Sequence, residues 1–273
     1  MSSIILAQEY KKNDLKFGKF QVSKNSAGSG SVSLGYDYKS DGNSDNLTIQ
    51  TAKMKAPFGI GNNEKFRENE NSKLKWSLQL SFDGIEKNKK IDRFHKFLDM
   101  FDEQIKVEGL KNAETWINDD DADEKSMRKS YKPALKKFKA KKETPDKIYP
   151  DTFKINVPWN YEQDKPHDSV EIYDEKGELT EYTDIIPGCE IIAVFSVSSI
   201  WCARGLGFFG PSIRLVQLQV FKPKKIKGFN IKYDKDSDEE SGDEAEAEGD
   251  DNVSEAEGDE EEESEEDEFE TNE

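Results

Sequence analysis

Trp201, Arg204 and Phe208 stand close together around a glycine-rich stretch, residues 205–210, with Phe209 beside them. Two rings and a guanidinium so placed can hold a flat anionic ligand: the rings offer π faces for stacking and the cation takes a phosphate. Other pairs repeat the combination. Lys53 and Lys55 end one segment of alternating apolar residues, Lys73 and Lys75 share the polar face of another, and Trp159 and Tyr161 flank the end of a third. Residues 125–147 carry ten Lys or Arg, among them Lys132, Lys136, Lys137 and Lys139, with Tyr131 and Phe138 interleaved. Cations tracking phosphates and rings stacking on bases are what a protein needs to hold a single nucleic-acid strand without reading its sequence. Plainer readings stand beside these. Trp76 alternates with leucines and belongs to a core, Trp116 staples a helix, and a run of charge is usually a solvated face.

Catalytic chemistry is missing. The sequence has no GxxxxGK(S/T) loop, and residues 205–210 join two strands rather than opening a helix. His95 and His167 have no neighbouring Cys, Ser or second His. Cys189 and Cys202 lack metal-ligand spacing and read as reduced thiols. The expectation is a binding protein, not an enzyme, with no cofactor and no metal. No stretch approaches the roughly 20 apolar residues of a membrane span, and the short apolar start has no basic n-region. No membrane partner is expected.

Period-two alternation predicts strands over residues 31–38, 47–54, 73–82, 152–159, 189–201 and 212–221, with a hairpin over 169–182. In the last strand Ile213, Leu215, Gln217 and Gln219 alternate against Arg214, Val216, Leu218 and Val220. Ile91, Phe94, Leu98, Phe101 and Ile105 recur at steps of three and four, which predicts an amphipathic helix from near Gly84 to near Gly109. Strands, then a helical and basic insertion, then more strands suit an all-β core of the OB-like Greek-key barrel type. A β-sandwich buries one face of each strand equally well and is the alternative.

Charge divides the chain. Residues 234–273 hold 24 Asp or Glu against one Lys, a charge of −23. The whole chain carries −18, which leaves +5 for residues 1–233. The sequence thus predicts a basic body, with its helical and basic insertion at about residues 84–147, and an acidic tail disordered by self-repulsion and poor apolar content. In the tail Ser237, Ser241, Ser254 and Ser264 each precede an acid three residues on, the pattern of acidophilic kinase sites.

The order of features also resembles a known family. Ile186-Pro187-Gly188-Cys189, the strand to Trp201, the glycine-rich turn and the strand Ile213–Val220 are similar to the last two core strands of the single-stranded-DNA-binding proteins of short-tailed phages and their relatives in large nucleocytoplasmic DNA viruses. The resemblance implies an OB fold with a helix inserted between strands and an acidic tail bearing an aromatic near its end, here Phe269. It implies a viral protein that coats exposed DNA in replication, recombination and repair. Its tail would compete for the DNA groove and recruit DNA polymerase or other replication proteins. The place of action would be a viral replication site in the host cytoplasm, or the nucleus, or the virion itself. Both a monomer and a homodimer are compatible with the sequence. The rival classes are an acidic-tailed chaperone of basic proteins and a virion core protein that packages DNA.

Overall fold

The computed structural model describes residues 3–24, 28–66, 73–138 and 149–223. Residues Met1–Lys225 form one unit and Ile226–Glu273 a second. The charge boundary at 233/234, the four serines and Phe269 lie outside the described residues.

The strands are β1 (Ile5–Leu6), β2 (Leu15–Val22), β3 (Gly30–Tyr36), β4 (Leu47–Gln50), β5 (Met54–Ala56), β6 (Ile60–Asn62) and β7 (Trp76–Ser81). Helices α1 (Lys89–Lys111), α2 (Ala113–Ile117) and α3 (Glu124–Ser130) follow. Then come β8 (Leu135–Lys136), β9 (Thr152–Asn156), β10 (Trp159–Asn160), β11 (Lys165–Pro166), β12 (Glu171–Tyr173), β13 (Cys189–Ala203) and β14 (Phe208–Phe221).

Five strands close a ring, β13–β5–β7–β9–β14 and back to β13. Every pairing is antiparallel except β9 with β14, which is parallel. β4 and β5 act as one interrupted strand along β13, at Val194–Val197 and Cys189–Ile191 respectively. The break falls at Thr51, whose hydroxyl accepts from Ala193 N at 2.9 Å and so keeps the edge of β13 satisfied. Closure through β13–β14 makes this an OB-like barrel and decides against the sandwich.

The helix differs from expectation at its start. Asn88 Oδ1 accepts from Lys90 N at 3.0 Å and from Ile91 N at 3.4 Å, so the cap fixes the first turn at Lys89. Gly84, at φ +76°, instead serves a preceding turn. α1 lies between the second and third barrel strands in sequence. Its Phe94 packs on Phe82, Phe153 and Phe195 at ring separations of 6.0, 5.4 and 6.2 Å. Each such fully buried ring contributes about 1.5–3 kcal/mol of transfer free energy.

Two further departures have simple causes. The 169–182 hairpin keeps its turn, with Gly177 N donating to Asp174 O at 3.1 Å, but its return arm makes one bridge, Tyr173 to Leu179. In β14 the buried parity changes. Ile213 and Leu215 are buried, and then Leu218 and Val220. Phe195 opposes Leu215 while Val194 opposes Gln217, so Val216 is an extra residue at a bulge. Beyond it Gln217 and Gln219 turn outward. β2 and α3 were not anticipated. β2 pairs with β3, which extends the sheet beyond β13.

Candidate nucleic-acid interface

OB barrels bind oligonucleotides across their second and third strands and at the loops joining strands one to two and four to five. Here the second and third strands are β7 and β9. Leu78, Leu80, Phe153 and Ile155 face the core, so Ser77, Gln79, Lys154 and Asn156 face out. Ser77 opposes Asn156 and Gln79 opposes Lys154. The face continues onto β14, where Arg214 aligns with Asn156. It then runs along the ribbon, with Ser212 opposite Ser199, Gly210 opposite Trp201 and Phe208 opposite Ala203. None of these outward positions carries an acid. Lys154 and Arg214 are exposed and make no ion pair among the described residues.

Trp201 is 37% exposed, a ring held on a strand yet open to solvent. Gly210 lies against its indole. A Cβ on Gly210 would fall 3.1 Å from Trp201 Cζ2 and 2.7 Å from the Lys132 carbonyl oxygen, so only glycine allows this approach. Lys132 N donates to Phe209 O at 2.8 Å, and its Nζ sits 3.7 Å from the centroid of Phe208. Trp201, Phe208 and Lys132 therefore converge on the start of β14. Phe209 points the other way and is fully buried, edge-on to Trp116 at 5.7 Å. Arg204 is turned to α2: its guanidinium donates to Glu114 O and Asn118 Oδ1, both at 3.4 Å, and lies 5.6 Å from the Phe20 ring. It anchors the turn between β13 and β14.

At the connection between the first and second barrel strands Lys73 and Lys75 are exposed. Lys73 Nζ lies 5.3 Å from the Tyr161 ring, and the Tyr161 hydroxyl donates to the Leu74 carbonyl. Trp159 is buried. Its ring stacks on Trp76 at 3.8 Å with 10° between planes, Tyr182 meets it edge-on at 5.4 Å, and its indole N–H donates to Asp164 Oδ1 at 3.2 Å. One face of each tryptophan is thus taken up by the other. Trp76 is half-buried in this pair rather than fully in the core.

The remaining predicted cations that are described have partners. Lys53 pairs with Glu190 at 2.9 Å and sits over Phe221 at 3.9 Å. Lys55 pairs with Asp83 at 2.8 Å, and the hydrogen bond it donates to that carboxylate raises its ammonium above the ordinary lysine range. Lys137 pairs with Asp99 at 2.6 Å, and Lys136 lies over Phe138 at 4.8 Å. Tyr131 is buried, and Lys139 lies outside the described residues. Exposed pairs of this kind contribute little to stability, so an incoming phosphate can compete for them. His95 lies between Asp99 and Asp151, and His167 meets Ser169. Among the described residues no His, Cys, Asp and Glu side chains gather as a metal-binding set. Sequence reading missed Lys154 and Arg214; the signal for Lys154 was its alternation with the apolar Phe153 and Ile155.

By strand order and closure the protein is of the OB-like barrel class, with a helix inserted between its second and third barrel strands. No family model and no curated protein matches the sequence. Among solved structures it is similar to gp2.5, a single-stranded DNA binding protein encoded by bacteriophage T7. That likeness has 13% identity, covers 68% of this chain and 91% of the other, and has a TM-score of 0.37. It is also similar to the single-stranded DNA-binding protein of bacteriophage Enc34 in complex with single-stranded DNA, at 14% identity, 77% and 99% coverage and a TM-score of 0.38. These are loose likenesses of fold, and the reading that follows rests on the face itself.

Proposed function

We propose that the protein binds single-stranded DNA on the outer face of β7, β9, β14 and β13, with little sequence preference. The observation that carries this is an acid-free stretch of the barrel face, from Gln79 across Lys154 and Arg214 to Trp201, on which Lys154 and Arg214, without ion pairs among the described residues, adjoin an exposed Trp201 and the Lys132–Phe208 pair. Phosphates meet the cations and release counterions, while bases stack on the rings. Small side chains between the stations, Ser77, Ser199 and Ser212, leave room for the strand to lie close.

On this reading the protein coats and protects exposed DNA during replication, recombination and repair of a viral genome. It is a binding protein without a cofactor. The acidic tail competes for the same cations when DNA is absent, and once displaced it recruits DNA polymerase or other replication proteins, with Phe269 as an apolar contact. Phosphorylation at Ser237, Ser241, Ser254 or Ser264 adds charge to that competitor.

The test is intrinsic tryptophan fluorescence during titration with oligo-dT. Binding at this face should quench emission, and Trp201→Phe should remove most of the quench while keeping part of the affinity. Quenching that persists in full in the Trp201→Phe protein would place the strand elsewhere.

A further inference from the structure

Asp102 is a carboxylate only 5% exposed, on the inner side of α1. Among the described residues, every donor its carboxylate accepts from belongs to one short segment. Its Oδ1 accepts from the Tyr131 hydroxyl at 2.5 Å and from Ala134 N at 2.9 Å, and its Oδ2 accepts from Leu135 N at 3.0 Å. Burial pushes the Asp102 carboxyl above the ordinary range, against the pull of those donors. An aliphatic side chain would fill such a place without desolvating a charge. What a carboxylate adds is direction: its donors are held at set positions along residues 131–135. That segment is the root of the basic stretch. Between the tethered residues lies Lys132, exposed, with its ammonium over Phe208 beside Trp201. One residue beyond Leu135 lies Lys136. Further along, Lys137 pairs with Asp99, one turn before Asp102, and Phe138 N donates to Asp151 Oδ1 at 3.0 Å. Asp151 in turn meets His95 of α1 at 2.9 Å.

We propose that Asp102 is a positioning residue for DNA binding. Through Tyr131, Ala134 and Leu135 it sets where Lys132 stands against the aromatic end of β14. The inference rests on the binding function proposed above, and it adds that a buried acid, which cannot touch DNA, fixes how many phosphates the protein engages.

The experiment measures oligo-dT affinity against salt, together with thermal melting, for the full chain. The proteins compared are wild type, Lys132→Ala, Asp102→Asn, Tyr131→Phe and the Asp102→Asn/Lys132→Ala double variant. Lys132→Ala should make the slope of log K against log salt shallower by about 0.7, one phosphate on a single strand. Asp102→Asn should do at least the same, and the double variant should lose no more than Asp102→Asn alone. Tyr131→Phe removes one donor but leaves the carboxylate its two backbone N–H groups, so a smaller change of the same sign is expected. If Asp102→Asn does not fold, Tyr131→Phe decides: a shallower slope supports the proposal and a wild-type slope overturns it. A folded Asp102→Asn protein that melts lower yet keeps the wild-type slope would reduce Asp102 to a packing role, as would full additivity with Lys132→Ala. Failure of the wild type to bind oligo-dT is a different result. It removes the proposed function itself.

Discussion

At Trp201 and Trp159 exposure decides what a ring can do. Trp201→Ala and Phe208→Ala should each weaken oligo-dT binding by about 1–3 kcal/mol, the worth of one stacked base. Their melting temperatures should stay within a few degrees of wild type. Trp159→Ala should do the reverse: its ring is 8% exposed and stacked on Trp76, so it should lose about 3–5 kcal/mol of stability. Thermal melts beside binding titrations separate the two cases, and a stable Trp159→Ala protein with lost affinity would reassign that ring to the interface. The thiols give a second check. Burial pushes Cys189 up to about 11 and Cys202 up to about 12, so at pH ~8 neither carries appreciable thiolate. Neither should react with a disulfide reagent in the native protein, and both should react in denaturant. Rapid native reaction would mean that β13 opens locally. Trp201 and Phe208 stood out in the sequence because they flank a glycine-rich turn, and they lie on the same outward side of the β13–β14 ribbon. Arg214 did not stand out, because simple alternation grouped it with Val216, Leu218 and Val220, which the bulge at Val216 separates from it.

Elements were legible where one period ran unbroken. Phe153, Ile155 and Val157 read as an inward row, and all three are buried. Legibility failed where a single side chain ends or bends an element. Asn88 moves the helix start through its own oxygen, and Thr51 splits what reads as one strand into β4 and β5. Neither event leaves a mark in apolar periodicity. β2 was missed because its burial is uneven, with Leu15 buried, Phe17 and Phe20 half-buried and the rest mostly exposed. The approach of residues 131–133 to β14 depends on Gly210, an unremarkable glycine in the sequence. Gly210→Ala should force the Lys132 carbonyl and Trp201 away from β14, since backbone cannot yield as a flexible side chain can. The expected outcome is a lower melting temperature and weaker DNA binding together. Wild-type values for both would mean that the two strands are not held in this register.

Over the whole molecule the governing fact is that +5 and −23 share one chain. On the function proposed above, a tethered polyanion at roughly millimolar local concentration would compete through weak charge pairing for the cations that DNA needs. Deleting residues 234–273 should therefore tighten oligo-dT binding at low salt, and the gain should shrink as salt rises and screens the competition. Unchanged low-salt affinity would leave the tail as a partner-recruiting or solubilising segment only. Composition made this division legible, but not which cations do the work, because pairing is a property of the fold: among the described residues Lys53, Lys55 and Lys137 have acids paired with them, whereas Lys154 and Arg214 do not. The most direct test follows from that contrast. Affinity for oligo-dT and for duplex of equal length is measured across a salt series, with wild type and a Lys154→Ala/Arg214→Ala variant. The face described here predicts tighter binding to the single strand, and a slope shallower by about 1.4 in the variant, two phosphates' worth. Equal affinity for duplex, or a variant with the wild-type slope, would contradict it, the first pointing to a DNA-packaging role and the second to a different surface.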